Sequence, residues 1–201
     1  MGAKGVACDG NSVWLVTDFS LEHARLESGE IYETITFREL GLMPQSTSGI
    51  TLLDGQLYVA LGESAMIVSI DPESRKIVTR FQSPGASDLE VSAGKLIASD
   101  SIGNASVIDP KTGAIRDRFA VGDTANRDYG IAVRDNVIFV GRMFGGMDVF
   151  DVSTGEELGH VTKGDGDEFL ATEDVGTMCV NRGNVLILSK LGLSEYAVCD
   201  P

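Results

Sequence analysis

Four short runs of β-branched and apolar side chains, set apart by tight polar turns, occupy residues 88–120. Leu89–Val91 is the first, turned by Ala93-Gly94, and Lys95–Ser99 is the second, followed by the loop Ser101-Ile102-Gly103-Asn104. Ala105–Ile108 is the third, and after Asp109-Pro110-Lys111-Thr112-Gly113 comes the fourth, Ala114–Phe119. Runs of this length bounded by Gly, Pro, Asn and Asp predict strands joined by hairpins.

The pattern recurs along the chain, in units spanning approximately residues 5–37, 49–81, 88–120, 130–161 and 178–201. Asp9-Gly10, Asp54-Gly55, Asp135-Asn136 and Arg182-Gly183 fall between first and second strands. Asp-Gly and Asp-Asn supply the positive φ that two-residue hairpins need. In unit one the third and fourth strands fall near His23–Leu26 and Ile31–Phe37, and Asp71-Pro72-Glu73-Ser74 and Ser153-Thr154-Gly155 make the same turn in units two and four. The connections 38–48, 82–87, 120–129 and 162–177 are longer and polar, as surface segments are. A period of about 40–45 residues with four strands per unit predicts a propeller blade.

The expected architecture is therefore all-β: a single domain, 1–201, folded as a five-bladed β-propeller of four-stranded antiparallel blades. The alternative is a piece of a larger ring. First strands near 5–8, 49–53, 88–92, 130–134 and 178–181 are expected to line the axis. Trp14, Tyr58, Ile97, Phe139 and Ile187, at equivalent second-strand positions, are expected to pack between blades. The last blade lacks its outer strand, because unit five stops at Cys199-Asp200-Pro201 where unit three runs on from Asp109-Pro110. Leu193–Val198 then offers an open edge, an expected route to a homo-oligomer.

LYVALGESAMIVSIDPESRKIVTRF, residues 57–81, resembles the YVTN-type propeller repeat, and VFDVSTGEELGHV, residues 149–161, is similar to the strand-turn-strand of WD-repeat propellers. The Trp-Asp dipeptide is missing, since Trp14 is followed by Leu15, and Gly159-His160 stands at the wrong place to open a WD unit. The resemblance is at superfamily level and implies a propeller. It does not imply a partner, because this fold hosts enzymes, lectins and scaffolds alike.

Charge narrows the functions. Thirty acidic against 16 basic residues leave a net charge of −14, which repels phosphate backbones and disfavours nucleic acid as a partner. No apolar run approaches the length of a membrane-spanning helix, and MGAKGVACDGNSVWL lacks the apolar region of a signal peptide. The expectation is no membrane association and a cytoplasmic location. Cys8, Cys179 and Cys199 have no metal-ligand spacing, and an odd count in a reducing compartment reads as free, buried thiols. Cys8 and Cys179 nevertheless fall in first strands that ring closure would make neighbours.

Aligning the units puts Arg142 and Lys190 at equivalent loop positions on successive blades, with Arg127 entering the blade that bears Arg142. These cations, with Tyr129 as an aromatic anchor, are the candidate ligand-binding residues for a protein, peptide or small anionic ligand. The competing reading is that Asp123, Asp128 and Asp174 neutralise them as solvated surface pairs. Lys163-Gly164-Asp165-Gly166-Asp167-Glu168 fails the EF-hand template, with Phe169 at an oxygen position and Gly176 in place of the closing Glu. His23 and His160 are the only histidines and read as strand-end or surface residues. No nucleophile elbow, phosphate loop or zinc pattern is present. The reading that follows is a non-catalytic binding or scaffold module without a cofactor. The alternative is a metal-dependent hydrolase or lyase, similar to lactonase-type propellers. Its divalent metal, such as calcium, would sit at the channel mouth near Asp18, Glu63, Asp100 and Asn104.

Overall fold

Alternation of buried and exposed side chains resolves into antiparallel meanders in the structure, a computed structural model. It describes residues 2–43, 45–62, 64–83, 85–121, 130–141, 147–161, 177–182, 184–189 and 192–197. The first sheet runs β1 (Gly5–Asp9), β2 (Ser12–Val16), β3 (Ser20–Arg25), β4 (Ile31–Thr36), each strand bonded to the next. The second is β5 (Thr47–Leu53), β6 (Gln56–Leu61), β7 (Met66–Asp71), β8 (Lys76–Gln82). β9 (Ala86–Ser92), β10 (Lys95–Asp100), β11 (Asn104–Ile108) and β12 (Ile115–Ala120) make the third. β13 (Ile131–Arg134), β14 (Val137–Gly141), β15 (Met147–Asp151) and β16 (Glu157–Val161) make the fourth. The fifth sheet is smaller, with β17 (Thr177–Asn181), β18 (Asn184–Ser189) and β19 (Gly192–Ala197). Among the described residues there is no helix.

The first strands of successive sheets touch: β1 meets β5, β5 meets β9, β9 meets β13, β13 meets β17, and β17 returns to β1. The arrangement is that of a propeller, with four four-stranded blades and the smaller sheet around one axis. Each gap between neighbouring sheets holds an apolar cluster. Trp14 packs with Ile50 and Leu57, Tyr58 with Leu89 and Leu96, and Ile97 with Ile131 and Ile138. Phe139 packs with Met178 and Ile187, and Val6 with Cys179 and Leu186 closes the last gap. The five second-strand side chains expected between blades are all buried there. Burial of this kind, about 25 cal/mol per Å² of apolar surface, is the main force joining the sheets.

Close backbone approach sets the register. A Cβ on Gly49 would lie 2.6 Å from Asp88 Cα, so only glycine lets β5 and β9 meet at this level. Both strands start two residues before the expected position, because each carries a bulge there, between Thr47 and Gly49 and opposite Ser99 and Asp100. The Ser48 hydroxyl donates to the Ala86 carbonyl at 2.6 Å and links the two bulged ends. β3 also starts three residues early, because the Thr17 hydroxyl accepts from the Phe19 and Ser20 amides and turns the chain directly into it. At the rim, Gly113 (φ +71°) sits on the Phe81 ring of the preceding blade, and Gly155 (φ +70°) sits on Phe119 in the same way. The third-to-fourth-strand turn thus doubles as an inter-blade contact.

Candidate functional site

The axial face of β9 carries two acids, Asp88 and Glu90, two residues apart on an extended strand and so on the same side. Gly49 of β5 lets the neighbouring strand pass close to Asp88, since a Cβ there would lie 2.6 Å from the Asp88 Cα. Asp88 Oδ1 accepts from the Leu89 amide at 2.9 Å. Oδ2 accepts from the Ile131 amide of β13 and the Thr177 hydroxyl of β17, each at 3.0 Å. The residue is 1% exposed. Burial raises its pKa to about 8, against the downward pull of the hydrogen bonds it accepts.

Glu90 lies one step further along the axis, 8% exposed. Its Oε2 accepts from the Val91 amide at 3.2 Å and its carboxylate takes a hydrogen bond from Thr51, while Oε1 has no hydrogen-bond partner. Burial first, and the charge of Asp88 second, push its pKa well above the ordinary carboxylate range. Beside it opens a cavity of about 280 Å³, on the side where first strands turn into second strands. Thr51, Leu52, Val91, Val133, Arg134, Asp135 and Val180 line it with Glu90, and the surface they expose to it is mainly polar.

Cys8 and Cys179 line the same cavity and form a disulfide, their Cα atoms 5.9 Å apart. This corrects the reading of three free thiols. The ring brings β1 against β17, and two sulfurs 171 residues apart in sequence meet across that seam. The Arg182 guanidinium donates to the Asn11 side-chain oxygen across the same seam, at the hairpin turns.

Of the candidate ligand-binding residues, Arg127, Tyr129, Arg142 and Lys190 lie outside the described residues, as does Glu63 of the metal alternative. Asp100 and Asn104 are together, Nδ2 to Oδ2 2.9 Å. The Asp100 carboxylate is also filled by the Ile102 and Asn104 amides and by Arg118 at 2.5 Å, so it organises the β10–β11 loop. Asp18 sits in another blade's loop, with one buried oxygen, Oδ1, lacking a hydrogen-bond partner. Among the described residues no group of three or more His, Cys, Asp and Glu side chains gathers as a metal cage would. His160 is near a strand end, bonded to Asp148 at 2.9 Å. His23 is not a surface residue: it lies within β3, stacked on Trp14 at 4.0 Å and bonded to Ser12 at 2.8 Å. It is held there because β3 pairs with β2 in a register that sets His23 opposite Trp14.

The Asp88–Glu90 pair was missing from the sequence-derived candidates. Its signal was available: two acids in alternation on a first strand, where the aligned strands carry Gly5 and Ala7 or Gly130 and Ala132.

The fold belongs to the β-propeller class. No protein-family profile matches the sequence, and no curated protein matches it. Solved structures do. Myxococcus xanthus glutaminyl cyclase superposes with a TM-score of 0.73 at 15% identity, covering 98% of this chain and 91% of that one. Chaetomium thermophilum Raptor gives 0.61 at 13% identity, over 97% of this chain and 20% of that one. The WD40 domain of Neurospora crassa Pan2 gives 0.58 at 14% identity, over 99% and 65%. At such identities the likeness is one of fold.

Proposed function

We propose that this chain is a non-catalytic binding module, a five-bladed propeller whose fifth blade is three-stranded and whose loop face receives a protein, peptide or small anionic ligand. The observation that carries the reading is Asp100. The carboxylate best placed by the sequence for chemistry at the mouth is spent on its own loop and on Arg118. Likeness to the Pan2 WD40 domain and to Raptor supports the use of this fold as a docking surface. Arg127, Arg142 and Lys190 would supply the cationic contacts and Tyr129 the anchor, against an acidic remainder that turns other anions away. The test is to screen for a ligand and repeat the titration with Arg142→Glu and Lys190→Glu. Each is expected to weaken binding by a kcal/mol or more without lowering the melting temperature. Unchanged affinity in both variants removes the site from this face.

A second reading is enzymatic. The match to a glutaminyl cyclase over nearly the full length of both chains favours it. So does a buried acid whose pKa is raised to about 8, as proton-transferring groups require. Turnover lost on adding a chelator, or with Asp88→Asn, would decide for it.

A cytoplasmic location is the default of the sequence, and the Cys8–Cys179 bond bears on it. Disulfides persist in oxidising compartments and are rare in the cytosol. Thiol trapping in intact cells would place the chain on one side or the other.

A further inference from the structure

Each sheet is built from consecutive strands, so among the described residues no strand from one end of the chain pairs into the sheet at the other. The seam between β1 and β17 is held instead by side chains. Val6, Val13, Ala24 and Leu186 pack across it, Arg182 bonds to Asn11, and the Cys8–Cys179 bond is its covalent tie. The two cysteines are not equally placed. Cys179 is 2% exposed and Cys8 is partly exposed, and both line the cavity of about 280 Å³ on the hairpin side.

We propose that Cys8 is a modification site: a small thiol entering this cavity exchanges with the cystine, stays on Cys8 as a mixed disulfide, and unlatches the seam. The step balances without an outside oxidant or reductant. The attacking thiolate bonds to Cys8 Sγ, the Cys8–Cys179 bond breaks, and Cys179 leaves as a thiolate that takes a proton from water. In reverse, the Cys179 thiolate attacks Cys8 Sγ, expels the small thiol and relatches the ring. Exchange depends on access and on which sulfur is struck, so the more exposed Cys8 is the one attacked. The cavity equals the liquid volume of about nine waters, which suits a thiol of about two or three carbons. Its mainly polar lining, with Thr51, Arg134 and Asp135, favours a thiol that also carries a hydroxyl group. β17 remains tied to β9 through the Thr177–Asp88 bond, so the loosening is confined to the seam. The loop face takes no part, and the site stands or falls independently of any ligand bound there.

The experiment incubates the folded whole chain with mercaptoethanol and its oxidised disulfide, quenches with acid, and maps the adducts by peptide mass spectrometry. Amide hydrogen exchange is followed on the same samples. The adduct is expected on Cys8, in about tenfold or greater excess over Cys179, as access dictates. Exchange should quicken in β1, β2, β17 and β18 and stay unchanged in β10 and β11. Carrying Cys199→Ser throughout leaves the cystine as the only source of signal. In that background Cys179→Ser should let the oxidised reagent label Cys8 quickly, while Cys8→Ser should leave Cys179 slow to react. Should either variant fail to fold, adduct mapping and hydrogen exchange on the chain with its cystine intact decide. No adduct on the folded chain, an adduct mainly on Cys179, adducts formed only in denaturant, or unchanged exchange at the seam each overturns the proposal.

Discussion

The Asp88 carboxylate on β9 accepts the Thr177 hydroxyl of β17 at 3.0 Å, reaching past the intervening β13. Because the same oxygen takes the Ile131 amide, one side chain ties three of the first strands around the axis.

This tie makes stability depend on pH in a definite sense. An unfolded Asp titrates near about 3.9, and folding raises Asp88 to about 8, so the folded chain holds the extra proton between those values. Its contribution is full below the unfolded value and is lost as pH rises through the folded one, by at most about 1.4 kcal/mol per pH unit. Glu90 shifts the same way. The melting temperature should fall between pH 5 and pH 8. Asp88→Asn should flatten that slope while lowering stability at pH 5 by about 1–3 kcal/mol, because its amide faces donors it cannot accept. Equal melting temperatures at pH 5 and pH 8 in the parent chain would sink the argument.

Acid has the opposite effect through the turn carboxylates. Side-chain and backbone hydrogen bonds from Ser153 lower Asp151 to about 2, and a bond from Arg116 depresses Asp109 still further. What these groups contribute is lost as pH falls through their depressed values, so thermal scans below about pH 4 should show renewed destabilisation.

Closure of the ring should depend on redox state. Breaking the Cys8–Cys179 bond, by reductant or by paired serine substitution, should cost about 2–5 kcal/mol. Thiol counting on the denatured, unreduced chain should give one thiol, and three after reduction, since the sequence holds three cysteines. Three thiols before reduction would show that the seam is held by packing alone.

Gly113 offers a contrast between strain and overlap. At Gly10 (φ +62°) an added Cβ meets nothing, so Gly10→Ala should cost only backbone strain, about 1–2 kcal/mol. At Gly113 the Cβ would fall 2.5 Å from the Phe81 side chain, and Gly113→Ala should cost about 1–3 kcal/mol more. Denaturant midpoints of the two variants measure the difference.

Among the described residues β19 is bonded to β18 alone, which leaves its other edge as a place for a second chain. Sedimentation should show weak self-association rising with concentration. A strict monomer throughout the accessible range would retire the idea.

Turn chemistry made most of the fold legible. Asp54-Gly55 adopts φ 51° and 76° and Ala93-Gly94 φ 46° and 71°, the paired positive values that two-residue hairpins demand. Strand starts were less legible, because the bulges at the heads of β5 and β9 depend on how closely neighbouring blades approach. The disulfide was hidden for a related reason: its two cysteines become partners only once every intervening blade is placed. Acids on a strand ordinarily read as solvated, and Asp88 escapes that reading because Gly49 lets the next strand close over it while the Ile131 amide and the Thr177 hydroxyl supply donors from two other strands.

The cystine at the seam also changes what cutting the chain would do. Arg75 lies exposed in the turn between β7 and β8, inside the loop of sequence that Cys8 and Cys179 enclose. A protease cleaving there severs the backbone but frees neither fragment, and the nicked protein should run as one species in electrophoresis until a thiol separates the halves.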